Sequence, residues 1–337
     1  NWAGSSWYFL RYIDPKNKRA FADPKKLKYW MGSVRRDAPQ GDASGVDWYN
    51  GGMEHVTLHL LYSRFWNRFL YDLGLVPVAE PYKKRTAHGI ILAEGGVKMS
   101  KSKGNVVNPD PLVKEFGADA LRLYEMFMGP FNQAIAWDKR GILGTSRFLE
   151  RVWKLYGVSS IKYQVSSKNE EKNKNELQKL LHKTIKKVSE DIEAMHFNTA
   201  ISAMMIFINE VEKQTSVFTP KDQVLFLKIL APFAPHIAEE LWDKLTTNDR
   251  RLTTKNNKSI HIEDWPKYDP KLLEDETFIL VVQINGRVRD SFEVSKNITQ
   301  AEAEKLTFAR KSVEKHFSNS KPKRVIYVPG RLINIVI

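Results

Sequence analysis

The pentamer Lys98-Met99-Ser100-Lys101-Ser102, continued by Lys103-Gly104-Asn105, sets two ammonium groups three residues apart with small hydroxyls between them. Such a set can wrap a polyphosphate. Lysines there act as mobile point charges that meet the negative charge developing on a transferred or leaving phosphate. Gly95, Gly96 and Gly104 flank the pentamer and would let it open and close. A solvated basic loop would have the same composition, so the pentamer needs context. A second cluster is Gly51-Gly52-Met53-Glu54-His55, with His59 one helical turn on. The glycines would bring backbone close to a ligand at a strand–helix turn. Glu54, at the helix start, is placed to accept hydrogen bonds from ribose hydroxyls, as the acid of dinucleotide-binding folds does. His55 and His59 share one helix face, either as ligand contacts or as polar residues at a helix edge. A zinc reading fails, because HExxH needs Glu directly after the first His and no third ligand is evident.

The elements around these residues follow from periodicity and punctuation. WYNGG at 48–52 reads as a strand end running into a glycine turn. Leu58, Leu61, Tyr62, Phe65 and Phe69 recur at helical spacing, which predicts a helix from Glu54 to about Leu73, stopped by Gly74. HGIILA at 88–93 reads as a short buried strand, and 94–107 as a Gly- and Lys-rich loop. Asp110-Pro111 reads as a helix start with Pro at the first position, and Gly117 divides the helical stretch beyond it into two short helices. Residues 31–47 read as a polar, Gly-rich loop. Strand, glycine turn, helix and strand together suggest part of an α/β domain with its ligand edge at the loops.

Beyond about Gly141 the pattern becomes that of long helices as far as Trp265, an all-α bundle with polar spacers at 159–176 and 246–259. Met204, Met205 and Phe207 read as core filler within it. From about Tyr268 the period changes again. FILVVQI, Asn285-Gly286 and RVRDSFEV form a hairpin signature, Thr299 to Glu302 a capping box, and KRVIYV and LINIVI two more strands around Pro329-Gly330. The result is a ββαββ module.

Composition sets the outer bounds. The 337 residues suggest two or three domains, and a hydrophobic content of 42% can fill their cores. The absence of cysteine excludes disulfides, a thiolate nucleophile and Cys-based metal sites. No apolar run reaches the roughly 18 residues of a membrane span, so no membrane partner is expected. A net charge of +14 favours a polyanionic partner, although the excess is spread along the chain. The opening Asn1-Trp2-Ala3-Gly4, without Met or leader and rich in aromatics, reads as the middle of a domain.

The pentamer is similar to the KMSKS signature of class I aminoacyl-tRNA synthetases. Four further segments resemble the leucyl enzymes of that class: GGMEHVTLHLLYSRF at 51–65, SSWYFLRY at 5–12, FGADALR at 116–122 and LAPFAPHIAEELW at 230–242. QINGRVR at 283–289 and VPGRLIN at 328–334 resemble the C-terminal domain of the bacterial members. The resemblance implies a partial Rossmann-type α/β domain, followed by an all-α bundle and a small C-terminal α+β (ββαββ) domain. The divisions would be the second half of the catalytic domain at 1–94, the KMSKS loop and stem-contact region at 95–140, the anticodon-binding-type bundle at 141–265 and a tRNA-binding domain at 266–337.

By the same resemblance the activity is ATP-dependent formation of leucyl-adenylate and transfer of leucine to tRNA(Leu) in the cytoplasm. ATP, with Mg2+, would be a substrate. Lys98 and Lys101 would be the catalytic cations. Gly51, Gly52, Glu54, His55, His88, Gly89, Ile90, Met99, Ser100 and Ser102 would complete the ATP site. Trp2, Ser5, Tyr8 and His59 would hold leucine, with Trp2 standing where Phe is usual, Gly4 where Asp is usual and His88 where Gln is usual. Arg287, Arg289, Lys321, Lys323, Arg324 and Arg331 would meet tRNA or serve as solvated surface. No resident metal is implied. The HxGH signature and the editing insertion are not found, so the chain would be a C-terminal part, inactive without an N-terminal half on the same or a separate chain. A non-catalytic RNA-binding fragment or paralogue, or a sister enzyme for isoleucine, valine or methionine, is the alternative.

Overall fold

The structure, a computed structural model, describes residues 2–32, 45–157, 168–248, 259–273, 277–316 and 322–337. Residues 33–44 of the polar loop, parts of both bundle spacers, and Lys321 lie outside the described residues.

Helices α1 (Trp2–Ser5), α2 (Tyr8–Ile13) and α3 (Pro24–Met31) precede strand β1 (Tyr49–Gly52). β1 runs parallel to β2 (Arg85–His88), with Tyr49 opposite Arg85 and Gly52 opposite His88. Helix α4 (Leu61–Asp72) lies between them in sequence, which makes a strand–helix–strand unit. Its core is Phe9, Leu10, Leu27, Met31, Tyr49, Val76 and Val78. Gly51 and Gly52 belong to β1 itself, paired with Ala87 and His88, where a turn is expected from sequence.

The helix predicted from Glu54 is regular only from Leu61. Met53–His55 is a 3-10 turn and Val56–Leu60 a wide π turn. Gly52 precedes them with no side chain to cap the first N–H groups, so packing sets the opening turns. Gly74, at φ +70°, ends the helix as predicted. The inward face of the π turn and of α4 is polar. His59, Ser63 and Asn67, four residues apart, are buried, and Asn67 Nδ2 donates to the Val78 and Ala79 carbonyls at 2.8 and 2.9 Å. The apolar stripe points outward, with Phe65 72% and Leu61 60% exposed.

The strand predicted at 88–93 is divided. His88 ends β2, the Gly89 N–H donates to the Phe131 carbonyl at 2.8 Å, and β3 (Ile91–Leu92) pairs in parallel with β4 (Ile135–Ala136). The Gln133 backbone fills the space a Cβ on residue 89 would need, so the crossing requires glycine. The next helix starts two residues before the predicted point. Asn108, not Asp110, caps α5 (Pro109–Phe116), accepting from the Asp110 N–H at 3.0 Å with Pro109 first in the helix. Both Asn-Pro and Asp-Pro have the right grammar, and the first pair takes it. Gly117, at φ +87°, separates α5 from α6 (Ala118–Phe127) as predicted.

The bundle comprises α7 (Gly141–Gly157), α8 (Lys168–Glu193), α9 (Phe197–Lys213), α10 (Pro220–Leu230) and α11 (Pro235–Asn248), around Trp242, Phe207, Phe226, Phe233 and Leu181. Met204 and Phe207 are fully buried and Met205 packs against them, which makes all three core filler. α8 begins inside the predicted polar spacer; a charged, solvent-facing helix end carries no apolar period to read, though Lys172 and Glu176 pair along it. α6 shares this core and grips the turn between α10 and α11. The Asp119 carboxylate accepts from the Ile237 N–H and from His236 Nδ1, each at 2.8 Å, and Arg122 donates to the Pro232 carbonyl.

The C-terminal sheet has the order β6-β5-β8-β7. β5 (Thr277–Ile284) and β6 (Arg287–Ser295) join through Asn285 and Gly286 at φ +48° and +76°, the predicted type I′ geometry. The Thr299–Glu302 capping box opens α12 (Gln300–Phe308), followed by α13 (Lys311–Glu314), β7 (Arg324–Val328) and β8 (Leu332–Val336). Leu280, Val282, Ile333 and Ile335 pack with Ala303 and Val313 beneath the sheet.

Candidate functional site

A pocket of about 240 Å³ opens between α1, α2, β1 and the π turn before α4. Trp2, Ser5, Tyr8 and His59 all line it, together with Tyr49 and Arg85, which sequence reasoning missed. Its floor is a relay: Tyr8 Oη and Tyr49 Oη share a hydrogen bond of 2.5 Å, and Tyr49 Oη and His59 Nε2 one of 2.6 Å. The His59 ring stacks on both tyrosines with centroids 5.8 Å away, and Tyr49 stacks on Tyr82 at 4.1 Å. The wide turn before α4 is what brings His59 under the pocket. Burial, then the charges of His55 and Arg85, hold the imidazole below its ordinary pKa, which favours its neutral form. Burial, then the hydrogen bond with Tyr8, raises the Tyr49 phenol, which keeps its proton.

A larger cavity, about 500 Å³, lies beyond Gly52. Glu54, His88, Gly89 and Ile90 line it, with Glu125, Phe131, Gln133 and Phe197. The Glu54 carboxylate folds back over Gly52 and occupies the space a Cβ there would take. Its own N–H holds its pKa down, helped by the charges of His55, His88 and Lys98. Burial pushes Glu125 up, with Arg122 opposing. The Phe131 ring stands steeply to those of His88 and Phe197, at 73° and 89°, so a bundle residue helps wall the cavity.

Lys98 to Ser102 line neither cavity. They form a projecting segment held at its root. The Ser100 N–H donates to Asn105 Oδ1 at 2.8 Å, Asn105 Nδ2 donates to the Lys98 carbonyl at 3.2 Å, and Met99 packs against the bundle core. Lys101 and Ser102 stand exposed on a 3-10 turn that ends at Gly104, φ +63°. The charge of Lys98 is the smallest of those that lower the Glu54 pKa. Gly51 and His55, expected beside the nucleotide, line the smaller pocket.

Residues 62–138 match the family model for tRNA synthetases class I (I, L, M and V), and residues 174–305 that for the anticodon-binding domain of tRNA ligase. A similar solved structure is LeuRS of Agrobacterium radiobacter K84 (agnB2), in a ternary complex with tRNA and LeuAMS. It is 34% identical, with a TM-score of 0.71, over 98% of this chain and 41% of that one. The chain belongs to the class I tRNA synthetases. Methionyl-tRNA synthetase of Mycobacterium tuberculosis, in complex with methionyl-adenylate, shares the fold at 17% identity and a TM-score of 0.50, over 70% of this chain and 51% of that one. The class I match takes in α4 from Tyr62 onward, His88–Ile90 and the lysine segment, whereas Trp2, Ser5, Tyr8 and Tyr49 lie before it.

In this class I chain the six basic residues expected at the tail do not form one patch. Arg287, Lys323 and Arg324 lie at one end of the sheet, where the β5–β6 turn meets the end of β8 and the start of β7. Arg289 sits at the β6 bulge close by, Arg331 lies at the opposite end, and Lys321 is outside the described residues. Among the described residues no group of three or more His, Asp or Glu converges to hold a metal ion, and no helix is long and apolar enough to cross a membrane.

Proposed function

We propose that this chain is the C-terminal portion of a leucyl-tRNA synthetase. The observation that carries the reading is that Trp2, Ser5, Tyr8 and His59, expected for leucine, line one 240 Å³ pocket. Glu54, His88, Gly89 and Ile90, expected for ATP, line the adjoining cavity. The 34% identity to LeuRS supports it. In the reaction one oxygen of the leucine carboxylate attacks the α-phosphorus of ATP. The new C–O–P bond forms as the bond to the β-phosphate oxygen breaks, and pyrophosphate leaves with that electron pair. The terminal ribose hydroxyl of tRNA(Leu) then takes the acyl group and AMP departs. Glu54 accepts from the ATP ribose, the Gly89–Ile90 backbone meets the adenine, and Lys98 and Lys101 neutralise the phosphates. Magnesium enters as the MgATP substrate. The divisions at 1–94, 95–140, 141–265 and 266–337 then carry half of the nucleotide-binding domain, the KMSKS region, the bundle and the tail, the last two with tRNA, in the cytoplasm.

The N-terminal half of the catalytic domain would complete the site, on the same or a separate chain. Two features support that partner. Parallel sheets are stable when buried on both faces, and among the described residues β1 and β2 are a pair alone in their sheet. The outward stripe of Leu61, Phe65 and Phe69 is the surface such a half would cover. ATP–pyrophosphate exchange tests the reading. The chain alone is expected to be silent, and the chain with its N-terminal half to exchange with leucine but not isoleucine, valine or methionine. Exchange driven by another amino acid, or none from the assembled protein, would overturn it.

A further inference from the structure

The small pocket holds a cation that this chemistry has not used. Arg85, half-buried on β2, lines it beside Ser5, Tyr8, Gly51 and His59. Its Nη2 donates to the Gly52 carbonyl at 2.9 Å, while its Nε is buried and meets no acceptor. Elsewhere Arg64, Arg151 and Arg310 each hold a carboxylate, that of Glu80, Glu212 and Asp290. Among the described residues Arg85 has no such partner. A buried guanidinium donor without an acceptor costs stability, and an arriving anion would relieve it. The anchor at Gly52 fixes the fork between the two cavities, because Gly51 lines one and Glu54 the other. An isobutyl group has no use for a cation, so Trp2 and Tyr8 suit the side-chain end of the substrate and Arg85 the other end.

We propose that Arg85 receives the α-carboxylate of the amino-acid substrate, holding one oxygen while the other stays free toward the nucleotide cavity. The planar fork suits a carboxylate. The inference rests on the reading of the small pocket as the amino-acid site.

NMR titration of the chain assembled with its N-terminal half, with leucine and with leucinol, which lacks the carboxylate, tests it. Isoleucine, valine and methionine are run against their amino alcohols in parallel. Leucine should bind roughly ten- to a hundred-fold tighter than leucinol, the range of a hydrogen bond to a charged group. Arg85→Gln should bring that ratio close to one while leaving leucinol binding in place. In the unmodified protein an arginine Nε–H resonance should shift with leucine and not with leucinol, which keeps the test open if the variant does not fold. An unchanged ratio in Arg85→Gln, or no moving Nε–H signal at leucine saturation, overturns Arg85 and leaves the leucine pocket standing. An Arg85-dependent ratio seen with another amino acid and not with leucine overturns leucine and leaves Arg85 standing. Binding of none of them overturns both.

Discussion

Around the small pocket, Tyr8, Tyr49 and His59 are held by two short hydrogen bonds, ring stacking and burial. At the lysine segment, Lys98 and Lys101 are exposed, and the chain is tied down at its root through Asn105 and Met99. On the leucyl reading proposed for the chain, the difference matches two tasks. A pocket that selects a small side chain must keep its shape before the ligand comes, because a loose wall discriminates poorly. Charges that must follow a phosphate from ground state to leaving group gain from a segment free to move with it.

Lys101→Ala is the sharpest attack on this contrast. In the assembled enzyme it should slow adenylate formation ~100-fold or more, the worth of one positioned charge at the reacting centre. Its unfolding free energy in urea should stay within ~0.5 kcal/mol of the parent, as for an exposed side chain. An unchanged exchange rate would refute the role of Lys101. Tyr49→Phe should do the reverse. Removing the hydroxyl between Tyr8 and His59 leaves two polar groups without their partner, and urea unfolding should show a loss of about 1–3 kcal/mol. A variant as stable as the parent would mean that the relay does not hold the pocket together.

The smallest effect concerns pH. Burial, His55 and Arg85 hold His59 below its ordinary 6.5, so just below that pH the folded chain binds fewer protons than the unfolded one. Stability therefore rises with pH in that window. The contribution is intact above the unfolded value and is lost as pH falls through the folded one. Urea midpoints taken from about pH 7 down to about pH 5 should fall less steeply for His59→Gln than for the parent. Parallel curves would separate His59 from the pH response.

Features written in neighbouring residues were legible in the sequence. Asn285-Gly286, Thr299 with Glu302, and Gly117 each fix a local conformation whatever surrounds them. The members of the small pocket named from sequence came through resemblance. Tyr49 and Arg85 did not, because their roles arise from β1 lying beside β2, a pairing between distant segments. The direction of α4 was hidden for a similar reason. Periodicity locates an apolar stripe but does not say whether this chain or another body covers it. The break at Gly89 depends on the approach of Gln133, more than forty residues on, which no local pattern encodes.

The outward stripe of α4 also bears on how the molecule is made. If the proposed covering half precedes it on one polypeptide, that half has already left the ribosome when Phe65 and Phe69 emerge, and the greasy ridge meets its cover as it is synthesised. If the halves are separate gene products, the ridge waits uncovered until they meet. Production of the two together, or a chaperone in the interval, then decides how much usable material a cell obtains.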